Sequence, residues 1–197
     1  MQIVHDHNYL RVIDEAVSPD VCREIVEGFE RDSARHRRRT SDWVNLEEMT
    51  LIDHVNPIRR LRSEETWKPI TNQLVGLFNP LADAYARTWA QHEGVVFLPQ
   101  EYAMEGMRVK CYRPNGVDEF KMHVDVSNKA SAGRFLSFLL YLNDSDGGTE
   151  FPLLNKTIEA REGRLIMFPP LWTYPHAGQQ PQDGRTKYIL STYLHYL

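Results

Sequence analysis

The sequence predicts an α+β protein with a mainly β core: an antiparallel barrel or jelly roll with N-terminal helices packed outside one sheet. Three observations predict it. Helical spacing of apolar residues is confined to the part of the chain before residue 94. After residue 94, short strand-like runs recur at close intervals. The segments between those runs are turn chemistry, too short to be helices. Helices followed by regularly spaced strands is the order expected when helices support an antiparallel core. At 197 residues the chain fits one domain, 1–197, read as a helical support region at 1–93 and a β core at 94–197.

The first element is the strand-like run YLRVIDEAV. Ser18-Pro19-Asp20 then starts a helix, with a hydroxyl N-cap, proline at the first helical position and an acid favoured by the helix dipole. Val21, Cys22, Ile25, Val26 and Phe29 follow on one face of it. A second helical pattern over residues 63–92 runs through Trp67, Ile70, Leu74, Leu77, Leu81, Tyr85 and Trp89. Asn79-Pro80 inside that pattern predicts a kink or two helices in series. The later strand runs are MRVKCY, EFKMHVDV, RFLSFLLYLN, GRLIMF and TKYILSTYLHYL. Pro114-Asn115-Gly116, Asp146-Gly147-Gly148, Gly163, Pro169-Pro170 and Asp183-Gly184 punctuate them.

Composition excludes several classes. A formal net charge of −4 gives no overall reason for a polyanionic partner. Cys22 and Cys111 are the only cysteines and match no paired metal or redox spacing, so a reduced, cytoplasmic setting is expected. No apolar run is long enough to span a bilayer, and the opening MQIVHDHNYL lacks the apolar stretch of a signal peptide, so no membrane partner is expected.

Of eight histidines, six have ordinary readings. His5 and His7 flank Asp6 on a terminus expected to fray. His36 lies in RHRRRT, read as a solvated loop, and Arg35, Arg37, Arg38 and Arg39 around it form a charge run. His54 and His92 are isolated, and His195 suits a structural or interfacial role. His123 and Asp125 differ. In EFKMHVDVSN, read as a strand, they share one face while Val124 projects from the other, into the packing between layers. His176 follows the later run GRLIMF. Two histidines and a carboxylate are the donor set that leaves iron(II) open positions for dioxygen and a co-substrate. Lys187 lies eleven residues beyond His176, on one face of the last run with Ile189, Ser191 and Tyr193. A lysine on an inward, otherwise apolar face needs an anion to neutralise it, while one at a strand mouth can keep its ammonium in water. Arg185 shares that face and is an alternative anion partner.

Taken in order, these segments resemble the iron(II)- and 2-oxoglutarate-dependent dioxygenases, specifically the prolyl 4-hydroxylase-like branch. YLRVIDEAVSPDVCREIV is similar to that branch's strand-then-helix start, and RRRTSDWVNL to its Arg-Thr-Ser segment. CYRPNGVDEFKMHVD resembles its tyrosine–glycine–aromatic–His-x-Asp block. LLYLND, GGTEFP, GRLIMFP and PHAG…GRTKYIL follow in the family's order. One departure is the interval from Gly184 to Lys187, one residue longer than the commonest form.

The resemblance implies a double-stranded β-helix in which His123, Asp125 and His176 ligate Fe(II) and Lys187 pairs with the distal carboxylate of 2-oxoglutarate. It implies Tyr112 near the metal-side end of that co-substrate, Tyr141 on its distal carboxylate, and Thr149 at the pocket. Both tyrosines also suit half-buried strand aromatics, and the glycines before Thr149 suit a turn. Arg39, Ser41 and Trp43 would belong to the substrate loop. Dioxygen is the second co-substrate and ascorbate a reductant. The implied reaction hydroxylates an unactivated C–H bond and releases succinate and CO2, with a prolyl residue or amino acid as first substrate. Alternatives are another small molecule, a nucleic-acid demethylase, or a non-catalytic jelly-roll module that holds a metal or sugar. The acidic charge, and a last strand without paired arginines, argue against nucleic acid.

Overall fold

The computed structural model describes residues 1–52 and 57–197; His54 lies outside them. The N-terminal part contains β1 (Gln2–His7), β2 (Leu10–Asp14), α1 (Pro19–Arg31), β3 (Arg37–Ser41), β4 (Val44–Thr50) and α2 (Pro57–Trp89). Next come β5 (Gln91–His92), β6 (Val95–Val96), β7 (Tyr102–Met104), β8 (Arg108–Tyr112) and β9 (Glu119–His123). The remainder is β10 (Arg134–Tyr141), β11 (Ser145–Phe151), β12 (Lys156–Ala160), β13 (Leu165–Phe168), β14 (His176–Gly178) and β15 (Lys187–Tyr196).

One antiparallel sheet runs in the order β1-β2-β13-β10-β15-β8-β4-β9-β14-β11-β12, with β3 against β4 and β7 against β15. It folds back on itself: β10 and β11 are far apart in strand order, yet the Tyr141 hydroxyl donates to Thr149 Oγ1 at 2.6 Å. The interior between the halves holds Tyr112, Phe120, Leu139, Phe151, Phe168 and Ile189. The outer face of the larger half packs on α1 and α2 through Cys111, Leu136, Phe138, Leu140, Leu190 and Leu194. Strand alternation sorts the residues: along β10, Leu136, Phe138 and Leu140 meet the helices while Leu139 and Tyr141 point inward. Burial on both faces is why RFLSFLLYLN reads as a nearly unbroken apolar run. The expected jelly roll with helices outside one sheet is present.

Several local expectations differ. The terminus does not fray, because β1 pairs with β2. Residues 57–89 form one helix that passes through Pro69 and Pro80. An interior proline costs about 3 kcal/mol; burial of Trp67, Ile70, Leu74, Phe78 and Tyr85 against the sheet outweighs that. RHRRRT is not a solvated loop. His36 stacks on Phe29 at 3.8 Å between ring centroids and bonds its carbonyl at 2.8 Å, and the arginines open a β-hairpin. Gly147 and Gly148 lie inside β11 rather than in a turn. A Cβ on Gly148 would sit 2.5 Å from the Ile158 carbonyl oxygen, so the glycine serves close backbone approach.

Candidate active site

β9 and β14 pair so that His123 lies opposite His176. His176 is the first residue of β14, so β9 loses its ladder partner beyond His123 and ends there. Asp125 therefore sits in a bend, not on the strand, and Val124 borders the open cavity instead of packing between layers. The bend still brings the three side chains together. Asp125 Oδ1 is 3.6 Å from His123 Nε2 and Oδ2 is 3.7 Å from His176 Nε2, with each side chain at most 6 % exposed. One ligand atom from each residue falls within 4.8 Å of the others.

Their surroundings prepare them for a cation. The Nδ1 of His123 reaches the Lys121 carbonyl at 2.8 Å, and that of His176 reaches the Tyr174 carbonyl at 3.1 Å. A carbonyl only accepts, so each Nδ1 carries the hydrogen and each Nε2 offers its lone pair to the cluster. Phe120 stacks on His123 at 3.6 Å, and Phe151 and Phe168 flank His176. Burial pushes the His176 imidazole down to about 4, so it is neutral and able to ligate at neutral pH. Burial works against an ionised Asp125, but His176, His123 and the Lys110 ammonium outweigh it and hold the carboxyl well below its usual range. The Tyr193 hydroxyl donates to Asp125 Oδ1 at 2.7 Å, and Arg134 donates to the Asp125 carbonyl at 3.1 Å. Two imidazoles and one carboxylate, with no further acid, histidine or cysteine of the described residues in the cluster, fit iron(II) with open positions.

From this cluster a narrow cleft runs inward between the sheet halves, lined by Tyr112, Thr149, Gly178, Lys187, Ile189 and Ser191. Lys187 lies deep in it, 1 % exposed, its ammonium donating to the Gln179 carbonyl and standing 4.0 Å from the Tyr112 ring centroid. No carboxylate of the described residues pairs with it, and burial pushes it down to about 7 against the pull of Asp146. Arg185 is turned away, bonded to Asp183 at 2.8 Å. Tyr112 lines the cleft, its hydroxyl 2.8 Å from where a Cβ on Gly178 would stand. Tyr141 lies behind Thr149, bonded to it and to the Ile158 carbonyl.

Outward, the cluster opens into a cavity of about 470 Å³ bordered by Arg37, Arg39, Trp43, Arg108, Lys110 and Arg134 among others. Arg39 and Trp43 thus border the metal-facing cavity, while Ser41 is exposed outside it. Arg35 and Arg38 face elsewhere: Arg35 bonds Asp32 and the carbonyls of Thr50 and Leu51, and Arg38 grips the buried Asp118. Sequence reasoning gave no role to Lys110, Arg108, Arg134 or Tyr193. For the first two the signal existed, because alternation along MRVKCY puts them on the face of Tyr112.

Residues 107–195 match the model of the 2OG-Fe(II) oxygenase superfamily. These residues form a 2OG-Fe(II) oxygenase domain. Its cofactor is Fe(II) and its co-substrates are 2-oxoglutarate and dioxygen. Among solved structures, this oxygenase is similar to the 2OG complex of the viral collagen prolyl hydroxylase vCPH from Paramecium Bursaria Chlorella virus-1. That match has 18% identity and a TM-score of 0.69, covering 98% of this chain and 99% of that one. A Pseudomonas putida prolyl-4-hydroxylase aligns at 16% identity and TM-score 0.70, over 96% and 94% of the two chains. A Trichoplax adhaerens prolyl hydroxylase, solved with a hypoxia inducible factor oxygen degradation domain peptide fragment, aligns at 13% identity and TM-score 0.65, over 96% and 84%. At these identities the likeness is one of fold. No curated protein matches the chain in sequence. Among the described residues, no helix of the oxygenase is long and apolar enough to cross a membrane.

Proposed function

We propose that this oxygenase is a hydroxylase of the prolyl type, acting on an unactivated C–H bond of a peptide or amino-acid substrate with release of succinate and CO2. The observation that carries the reading is Lys187: a buried ammonium without a carboxylate partner among the described residues, deep in a cleft that begins at His123, Asp125 and His176. Bound iron(II) and 2-oxoglutarate supply the oxidising chemistry, coupling decarboxylation of the oxo acid to insertion of one oxygen atom into the substrate. His123, Asp125 and His176 would hold the metal. Tyr193 and Arg134 fix Asp125, so its carboxylate stays in the bend. Lys187, which donates to the Gln179 carbonyl, would pair with the distal carboxylate of 2-oxoglutarate, a stronger partner for a buried ammonium than a neutral oxygen. Tyr112 forms one wall, and Tyr141 holds Thr149 at the other. Phe120, Phe151 and Phe168 keep water from the imidazoles. Arg39 and Trp43 border the substrate's approach. The buried free thiols Cys22 and Cys111 support a reducing, cytoplasmic setting, with residues 1–197 acting as one domain.

The test is anaerobic addition of iron(II) and 2-oxoglutarate, followed by a succinate assay across proline peptides, free amino acids and methylated oligonucleotides. A weak visible chelate band is expected, lost in His123→Ala and Asp125→Ala, with succinate release stimulated by a proline-bearing substrate. Stimulation only by oligonucleotides would sink the prolyl reading. Absence of both band and succinate would favour a binding module.

A further inference from the structure

Of the five cations on the wall of the open cavity, two are neutralised by the protein itself, and a third, Arg37, is exposed to solvent. Arg39 reaches Glu48 at 3.4 Å, and Arg134 forks onto Glu105 at 2.6 and 2.8 Å. Lys110 and Arg108 have no ion-pair partner in contact: Asp125 and the cross-strand Glu48, itself paired with Arg39, act on Lys110 only through space. Neither side chain donates a hydrogen bond or forms an ion pair among the described residues, although Lys110 is only 5 % exposed. The Lys110 ammonium stands 5.3 Å from the centroid of the Phe120 ring. The one acid bordering both the cleft and the cavity is Asp125, already held by Tyr193 and both imidazoles. A third polar group stands beside them: the Ser191 hydroxyl is buried and has no partner among the described residues.

Strand register places these groups. Lys187 lies opposite Tyr112, Ile189 opposite Lys110, and Ser191 opposite Arg108. Inward-facing residues two apart on a strand are about 6.5–7 Å apart. Lys110 is thus one step nearer the mouth than the co-substrate anchor, and Arg108 one step further. Lys110 borders both the closed cleft and the open cavity, while Arg108 borders only the cavity. The distal carboxylate of 2-oxoglutarate has its cation in Lys187, and its other end lies at the metal. The Lys110–Arg108 pair is additional positive charge, on the side where the substrate enters.

We propose that the substrate itself carries a carboxylate, which Lys110 and Arg108 clamp beside the carbon to be oxidised, with the Ser191 hydroxyl as a further donor. This rests on the hydroxylase reading above. A neutral residue inside a peptide would desolvate two cations without compensating either, an unfavourable arrangement. A carboxylate satisfies both through charge-assisted hydrogen bonds. The anion has two sources, the α-carboxylate of a free amino or imino acid and an acidic group next to the oxidised residue of a peptide.

The experiment uses the iron- and 2-oxoglutarate-loaded protein. Succinate release is compared for L-proline against L-prolinamide, and for end-blocked prolyl peptides with and without an aspartate next to the proline. Carboxylate-bearing members are expected to stimulate turnover about tenfold or more over their neutral counterparts. Response to L-proline assigns the α-carboxylate, and response to the aspartyl peptide assigns a side chain. Lys110→Met and Arg108→Gln should each raise KM for the active carboxylate compound by roughly 10- to 100-fold, and Lys110→Arg should recover part of that loss. Affinity for 2-oxoglutarate, read from the chelate band, should stay within about twofold in the same variants. Equal turnover of neutral counterparts would overturn the proposal. So would silence of every carboxylate member while the chelate band forms, or weakened 2-oxoglutarate binding in place of weakened substrate binding. A missing chelate band in the unmodified protein would instead bring down the hydroxylase reading, and this one with it.

Discussion

Lys187 is the residue whose chemistry can be read most directly, because an ammonium buried to 1 % exposure records a missing partner. Its folded pKa lies near 7, against an ordinary value of 10.5. Between those values the unfolded chain carries a proton that the folded chain lacks. Stability of the protein without 2-oxoglutarate therefore rises with pH across that window, and the full cost of burying the charge is present below its lower edge. Lys110, pushed down to about 8 by burial against the pull of Asp125, adds a slope of the same sign. Replacing Lys187 by methionine removes the buried charge and keeps the volume. The variant should raise Tm in a chelator-treated sample at pH 7 more than at pH 9, and flatten the pH dependence. It should also weaken 2-oxoglutarate binding by about 2–4 kcal/mol, roughly 30-fold or more. Arg185→Met, which alters only an exposed pair with Asp183, should do neither. A large loss of co-substrate affinity in the Arg185 variant alone would reverse the assignment.

At the scale of elements, legibility followed how local the cause was. Helix α1 was readable from Ser18-Pro19-Asp20 and one apolar face, and β10 and β15 from apolar runs that need no partner to be recognised. Strands β3 and β4 were missed because Arg37, Arg39, Glu47 and Glu48 look like a solvated charge run. They become a hairpin only by pairing with each other, and β4 further with β8 and β9. Of the two outcomes expected at Pro80, a kink or two helices in series, the second is absent, because propensity is local and the packing of α2 is not. In the site, His123, Asp125, His176 and Lys187 were visible as residue types in order. The bend at Asp125 was not visible, because it depends on where β14 stops supporting β9. Gly178 is a further element-scale device: a Cβ there would stand 2.8 Å from the hydroxyl of Tyr112, whose ring is against Lys187. Overpacking of this kind costs about 1–3 kcal/mol. Gly178→Ala should push the Tyr112 ring toward the co-substrate cleft and lower 2-oxoglutarate affinity about tenfold. Gly178→Ala combined with Tyr112→Phe, which removes the clashing oxygen, should recover most of it, as titration of the chelate band would show.

For the whole molecule, the decisive fact is that the sheet ignores the division between the two halves of the chain. β4 lies between β8 and β9, and β2 lies between β13 and β1, so strands from before residue 53 are interior to a sheet made mostly after residue 94. The helical layer is equally committed: α1 and α2 cover Cys111, Phe138, Leu190 and Leu194, which are buried on the outer face of the same strands whose inner face carries Lys187 and Tyr112. Removing residues 1–93 would open the ladder between β8 and β9, expose that outer face, and release the strand that carries His123. Residues 94–197 expressed alone should therefore lack the dispersed amide spectrum of a folded protein and give no chelate band. The full chain should unfold in urea as one transition, with tryptophan fluorescence and far-ultraviolet circular dichroism coincident. A folded, 2-oxoglutarate-binding 94–197 fragment would show that the N-terminal strands and helices are only an accessory layer. The metal site would then owe its geometry to the C-terminal strands alone, whereas the strand order makes it depend on β4 holding β9 in place.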